Sequence, residues 1–156
     1  MRHNKFKSGI YAGLVAGFLF LALEMLMVSL ILGGNAFEWL HMIAAVATGK
    51  DTLLPGGFTV TETLAAAGVH LGLSVLYAFL IGLAVANLNK GWSIVGGVVA
   101  GLIIYGINFY GLTSVFPWLK TARNWVTVVN HIIFGVVASQ QFLRMYWGIV
   151  DIAENI

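Results

Sequence analysis

Four uninterrupted apolar stretches, at about 8–32, 62–88, 92–116 and 123–146, constrain this chain more than any other feature. Each exceeds the roughly 18 to 20 residues that a helix needs to cross about 30 Å of hydrocarbon. Inside a bilayer no water satisfies backbone N–H and C=O groups, so a spanning segment must be a helix or a strand of a closed barrel. The stretches are continuously apolar and lack the alternation of a barrel wall, which leaves helices. With 60% hydrophobic and 9% charged residues there is also too little polar surface to coat a soluble globule. The sequence therefore predicts an all-α membrane protein, a single domain of 156 residues folded as a bundle of four transmembrane helices.

The first stretch follows Lys5 and Lys7 as the apolar region of a signal peptide would. It is too long for one and no A-x-A site follows it, so it reads as a retained span. The absence of cysteine excludes disulfides and thiolate metal sites. The net charge of +2 comes from few residues and bears on orientation, not on nucleic-acid binding.

Asn87, Asn89, Lys90 and Gly91 form a tight turn between the second and third spans, and Pro117 stops the third just before Trp118 and Lys120. Such short links make these helices antiparallel neighbours. The longest connection covers 33–61. Its first part, 36–48, sets Phe37, Leu40, Ile43, Ala44 and Ala47 at helical spacing, which predicts a short external amphipathic helix on the membrane surface or capping the bundle. Lys50-Asp51 and Pro55-Gly56-Gly57 then turn the chain back, with Thr59 or Thr61 as helix cap. Arg2, Lys5, Lys7, Lys90 and Arg144 fall on one side, against Lys50, Lys120 and Arg123 on the other. The positive-inside bias places both termini in the cytoplasm and the long loop outside.

Gly13-Leu14-Val15-Ala16-Gly17 and Gly97-Val98-Val99-Ala100-Gly101 are related by a displacement of 84 positions (97 minus 13). Both present a small-xxx-small face of the kind that lets helix backbones approach closely in lipid, within one chain or between copies of it. The register is compatible with a duplicated helical hairpin and equally with chance recurrence of Gly-Val-Ala runs.

Polar side chains inside the spans are few. Glu24, His70, Asn108 and His131 come one from each span, and each stands eight residues from its outer end, roughly 12 Å deep at 1.5 Å per residue. Glu24 displaced by 84 falls on Asn108. Helical spacing adds neighbours: Ser74 and Tyr77 beside His70, Thr127 and Asn130 beside His131, Tyr105 beside Asn108. Polar groups in hydrocarbon cost several kcal/mol without partners, so these faces should turn inward, where Glu24 and both histidines would meet.

Three readings of this layer stand side by side. One is a hydrogen-bonded clasp in which Glu24 accepts from the imidazoles and Asn108 fills the remaining valences. A second is a cofactor site: Glu24, His70, His131 and Asn108 around zinc, iron or copper, or His70 and His131 as axial ligands of haem b. No H-x-x-x-H, H-E-x-x-H or C-x-x-C-H motif accompanies it. The third is binding or passage of a small solute, proton or quinone, with Glu24 and the histidines as a relay.

His41 pairs with Glu38 at i, i+3 or joins an external ligand set. Trp39, Trp92, Trp118, Trp125 and Trp147 lie near span ends as interfacial anchors. No phosphate loop and no nucleophile with an adjacent base occurs, so the residues point to a binding or accessory protein rather than an enzyme. Its expected partners are the lipid bilayer and other membrane subunits or further copies of itself.

A Gly-rich opening at 12–17, His70 early in the second span, Gly97 and Gly101 opening the third, and His131-Ile132-Ile133-Phe134-Gly135 in the fourth are ordered features of nearly the whole chain. In this order the chain resembles a group of small four-span bacterial inner-membrane proteins of uncharacterised function. The resemblance implies a bacterial inner membrane and supplies no activity.

Overall fold

The computed structural model describes residues 4–54 and 58–148; Arg2 and the expected turn at Pro55-Gly56-Gly57 lie outside them. Five α-helices follow in order: α1 (Lys5–Ile31), α2 (Ala36–Thr48), α3 (Val60–Val85), α4 (Lys90–Gly106) and α5 (Trp125–Trp147). Each begins where an Asn or Thr outside the helix takes up a free backbone N–H: Asn4, Asn35, Thr59, Asn89 and Asn124. Thr59, one of the two expected caps, completes a capping box, with the Glu62 carboxylate accepting from the Thr59 N–H at 2.7 Å. Such caps stabilise a helix start by about 1 kcal/mol.

Four helices are long and apolar enough to cross a membrane: α1, α3, α4 with its continuation to Ser114, and α5. The four-span, all-helical bundle is as the sequence predicts, and α2 occupies the stretch where an amphipathic helix was expected. α2 is packed down on α3, with Ala44 and Ala45 buried, and so caps the bundle.

Glycines set how closely the spans approach. A Cβ at Gly13 would strike the backbone of Ser74 and Val75, and one at Gly17 the Ser74 side chain, so α1 runs against α3 with its backbone nearly in contact. In the second hairpin a Cβ at Gly97 would strike the Gly135 carbonyl, and one at Gly101 the backbone of His131 and Ile132. Each pair therefore packs on the second helix of its own hairpin. In both cases the numbers rise on one helix as they fall on the other, which makes the pairs antiparallel. Removing side chains here lets backbone atoms gain the dispersion contacts that hold helices together where lipid is as apolar as they are.

The two hairpins do not embrace symmetrically. α1 lies along α5 over much of its length, whereas α3 and α4 make few contacts. Close to their connecting turn Gly96 rests on Val85 and Leu88. Farther along, α3 and α4 diverge, and a wedge opens between them on the side of the bundle that carries α2.

α4 also does not continue as a plain α-helix to the expected end of its span. Residues Ile107–Gly111 form a turn of π-helix and Leu112–Ser114 a 3₁₀ turn. Arg123, placed in the sequence reading at a span boundary, braces this irregular segment. Its Nε donates to the Phe109 carbonyl at 2.7 Å, its Nη2 donates to the Thr113 hydroxyl at 3.0 Å, and its guanidinium stands 4.2 Å from the Tyr110 ring centre. π-turns are rare and frequently mark functional positions; this one carries Asn108.

Candidate functional site

Glu24 is fully buried in the last third of α1. A carboxyl group so placed must be partnered, and both partners come from the first turns of α5. The Thr127 hydroxyl donates to Oε1 at 2.7 Å and the Asn130 amide donates to Oε2 at 2.5 Å. The expectation that Glu24 accepts from the imidazoles is thereby corrected. α5 turns Thr127 and Asn130 toward α1, and the histidine one residue further is rotated about 100° away from them. The Asn130 carbonyl oxygen is buried and has no partner among the described residues.

His131 Nδ1 lies 2.7 Å from the Thr127 carbonyl, one helical turn back. Only a protonated nitrogen bonds to a carbonyl, so in the neutral ring Nε2 is left as the acceptor. The Asn108 amide reaches that Nε2 at 3.4 Å, and its carbonyl accepts from the Tyr77 hydroxyl at 2.7 Å. Tyr77 of α3 and His131 of α5 thus hold the π-turn amide between them. His70 Nε2 stands 2.9 Å from the Gly17 carbonyl of α1, which fixes its proton in the same way and leaves Nδ1 as acceptor.

The two histidines do not face each other across a ligand. The Phe20 ring lies between them, 5.6 Å from the His70 ring and 4.9 Å from that of His131, edge-on to the latter. Among the described residues no group of three or more His, Cys, Asp or Glu side chains is placed to hold a metal ion. The set Glu24, His70, His131 and Asn108 does not fit zinc, iron or copper. Glu24 is bonded to Thr127 and Asn130 of α5 and not to either histidine, and the Phe20 ring packs against both imidazoles where a shared ion would sit. Haem b fits no better, since the Phe20 ring packs against both imidazoles, where a macrocycle held between them would lie. Among the described residues no direct hydrogen-bonded chain of proton carriers joins Glu24 to the histidines. Thr127 links them through its hydroxyl on one side and its backbone carbonyl on the other, and a carbonyl has no proton to pass on.

What the arrangement does form is a cavity. It occupies the wedge between α3 and α4, with α2 across it and Phe20, Phe134 and Phe109 in its walls. His70, Ser74, Tyr77, Asn108 and His131 supply its polar atoms. Tyr77 and Asn108 are only half-buried, so the cavity is open on one side. A second cleft of about 470 Å³, more polar than the first, lies toward the α1–α2 connection, with Glu24, Asn35, Glu38, His41 and Asn124 among apolar side chains. His41 there stacks on Phe58 at 4.7 Å.

Sequence reasoning found the neighbours Tyr77, Thr127 and Asn130, but the expected common depth is corrected: His70 meets Gly17, seven residues before Glu24 on α1, or roughly 10 Å along the helix. The sequence reading also missed Phe20, Trp39 and Arg123. Trp39 is a buried wall of both cavities, 7% exposed, and not an interfacial anchor. Trp92 and Trp125, at 62% and 56%, are exposed at helix starts as anchors should be. The available signal for Trp39 was the amphipathic pattern of α2, which puts it on the face of Met42 and Ile43.

No family model matches the chain, and neither a curated protein nor a solved structure shows significant similarity to it.

Proposed function

We propose that this protein binds a small, lipid-soluble molecule carrying a hydroxyl group on a ring, of the phenol or quinol type, in the cavity between α3 and α4. The observation that carries the reading is the polarity of the two imidazoles. Each donates its N–H to a backbone carbonyl, so its other ring nitrogen is an acceptor, and both rings line a cavity whose remaining walls are mostly aromatic and aliphatic, with Ser74, Tyr77 and Asn108 as its other polar groups. The long 3.4 Å contact from Asn108 leaves His131 Nε2 available to a better donor. An apolar cavity of about 150 Å³ takes up benzene, so about 100 Å³ with one open side suits a single ring. A hydroxyl supplies the missing donor and the open side accommodates a tail in lipid. Loss of such a hydrogen bond is the strongest discriminator a site of this kind has against an isostere.

The likeness noted above and the bias of Lys5, Lys7, Lys90 and Arg144 to one side support placement in the bacterial inner membrane with both termini in the cytoplasm. In that setting the protein serves as a binding or accessory component and not as an enzyme. A metal or haem role has no support in the geometry.

The test is titration of the purified protein in nanodiscs with methylhydroquinone and with its dimethyl ether, followed by tryptophan fluorescence, since Trp39 lines the cavity. The hydroquinone quenches saturably, the ether binds about ten-fold or more weakly, and His131→Phe abolishes the difference. Equal binding of the two compounds, or no saturable signal, refutes the reading.

A further inference from the structure

The cavity and the polar cleft are adjacent, and the same three residues, Trp39, Met42 and Ala122, line both. We propose that the two are successive chambers of one route, closed from each other by the Trp39 side chain, along which a small hydroxylated molecule passes between the bilayer and the water on the side of the α1–α2 connection. This rests on the reading of the cavity as a ligand site.

The partition is made of side chains, and α2, which carries it, is tied to the segment after Pro117 by the Trp118 Nε1 bond to the Met42 carbonyl at 3.1 Å. The Trp39 indole packs on Phe20 at 5.9 Å and on His70 at 5.7 Å, so it closes the cavity by ring contacts. It belongs, with Met42, to α2, which is joined to the rest of the chain through Gly33 at φ +64° and Gly49 at φ +93°. A Cβ at either glycine would meet open space, so what holds these joints is a few backbone hydrogen bonds: Gly34 N–H to the Val28 carbonyl at 3.0 Å, Gly49 N–H to the Ala45 carbonyl at 2.9 Å and Thr52 N–H to the Gly49 carbonyl at 3.3 Å. A tilt of α2 about them swings the indole off Phe20 while the buried Ala44 and Ala45 remain the bearing surface on α3.

The chemistry changes along the route in a consistent direction. The cleft offers charged and amide groups (Glu38, Asn35, Asn124), the partition offers aromatic and thioether surface, and the cavity offers ring walls with two acceptor nitrogens. A molecule with an apolar ring and one hydroxyl finds a partner at each stage. At the far end the divergence of α3 and α4 opens the cavity toward lipid.

The chain has no cysteine, so single thiols can be placed without background. Ile104, 6% exposed, lies in the cavity wall beyond the partition, and Leu76, 50% exposed, lies on the outer face of α3. The experiment measures modification of Ile104→Cys in nanodiscs by a charged, membrane-impermeant methanethiosulfonate. Labelling is slow with Trp39 in place or replaced by Phe, and rises about ten-fold or more in Trp39→Ala, the expected result of removing a local closed state. Leu76→Cys does not change. An unchanged rate at Ile104→Cys overturns the proposal, and so does an equal acceleration at Leu76→Cys, which would mean general loosening. No ligand enters these rates, so they fail or hold separately from hydroquinone binding.

Discussion

Replacing Gly101 by Ala and replacing Gly72 by Ala are the same chemical change with opposite expected signs. At Gly72 nothing lies within 4 Å of the added methyl, and the gain in helix propensity, up to about 1 kcal/mol, is all that remains. At Gly101 the methyl would lie 2.8 Å from the His131 carbonyl carbon and 2.9 Å from the Ile132 Cα, with the His131 oxygen closer still. Ordinary contact begins near 3.4 Å, so α4 must withdraw from α5 by at least 0.6 Å (3.4 minus 2.8). Neither backbone can yield locally, because the Gly97 and Gly135 crossing one turn away is equally tight. Overpacking of this kind costs about 1–3 kcal/mol. The same movement carries the Asn108–His131 contact, 3.4 Å at rest, out of hydrogen-bonding range, at a further cost near 0.6 kcal/mol for a bond inside a membrane protein. After the propensity gain, Gly101→Ala is destabilised by about 0.6–2.6 kcal/mol and Gly72→Ala is neutral or stabilised. Reversible unfolding in mixed micelles of increasing dodecyl sulfate, followed by circular dichroism, measures both. Two variants that unfold within about 0.5 kcal/mol of each other would refute the close α4–α5 contact.

Glu24→Gln is expected to fold with stability within about 1 kcal/mol of the parent, because its carbonyl accepts from Asn130 and its amide donates to the Thr127 hydroxyl. Glu24→Leu strands both groups and loses about 2 kcal/mol or more in the same unfolding assay; equal loss in the two variants would show that the negative charge, not the pairing, is what α5 requires. Arg123→Ala leaves the Phe109 carbonyl without its donor and costs about 1.5–3 kcal/mol, the range for bonds to a charged group. Arg123→Lys recovers only part of this, since one ammonium cannot span both acceptors and the Tyr110 ring; full recovery on thermal melting would remove the brace from the account of the π-turn.

Hydrophobicity and length alone placed the four spans and α2, because the bilayer enforces both on any helix that crosses it. Depth was legible only in part: Asn108 and His131 meet, whereas His70 lies level with Gly17, seven residues from Glu24, because the spans are not in the register their end points suggested. Which of them touch was not legible. Contact depends on rotation about each axis, and one residue of error turns a side chain by about 100°. Thr127 and His131 stand four residues apart on α5, yet the hydroxyl of the first faces Glu24 while the ring of the second faces Asn108. The π-turn at Ile107–Gly111 adds a rotation that no hydrophobic pattern records. Trp39 and Phe20 escaped notice for a different reason. Large apolar residues are everywhere in such a chain, and only the divergence of α3 from α4 makes these two the walls of a space.

That divergence has a mechanical side. Tyr77 is eight residues from Val85, roughly 12 Å of rigid rod beyond the pivot at the α3–α4 turn. A change of about 5° at the pivot displaces the Tyr77 oxygen by roughly 1 Å, since arc length is radius times angle. The 2.7 Å bond to Asn108 does not survive such a displacement. The phenol and the amide therefore act as a clasp on a lever, and whatever squeezes or relaxes the helices at this depth, a guest molecule included, will be read as the making or breaking of a single hydrogen bond.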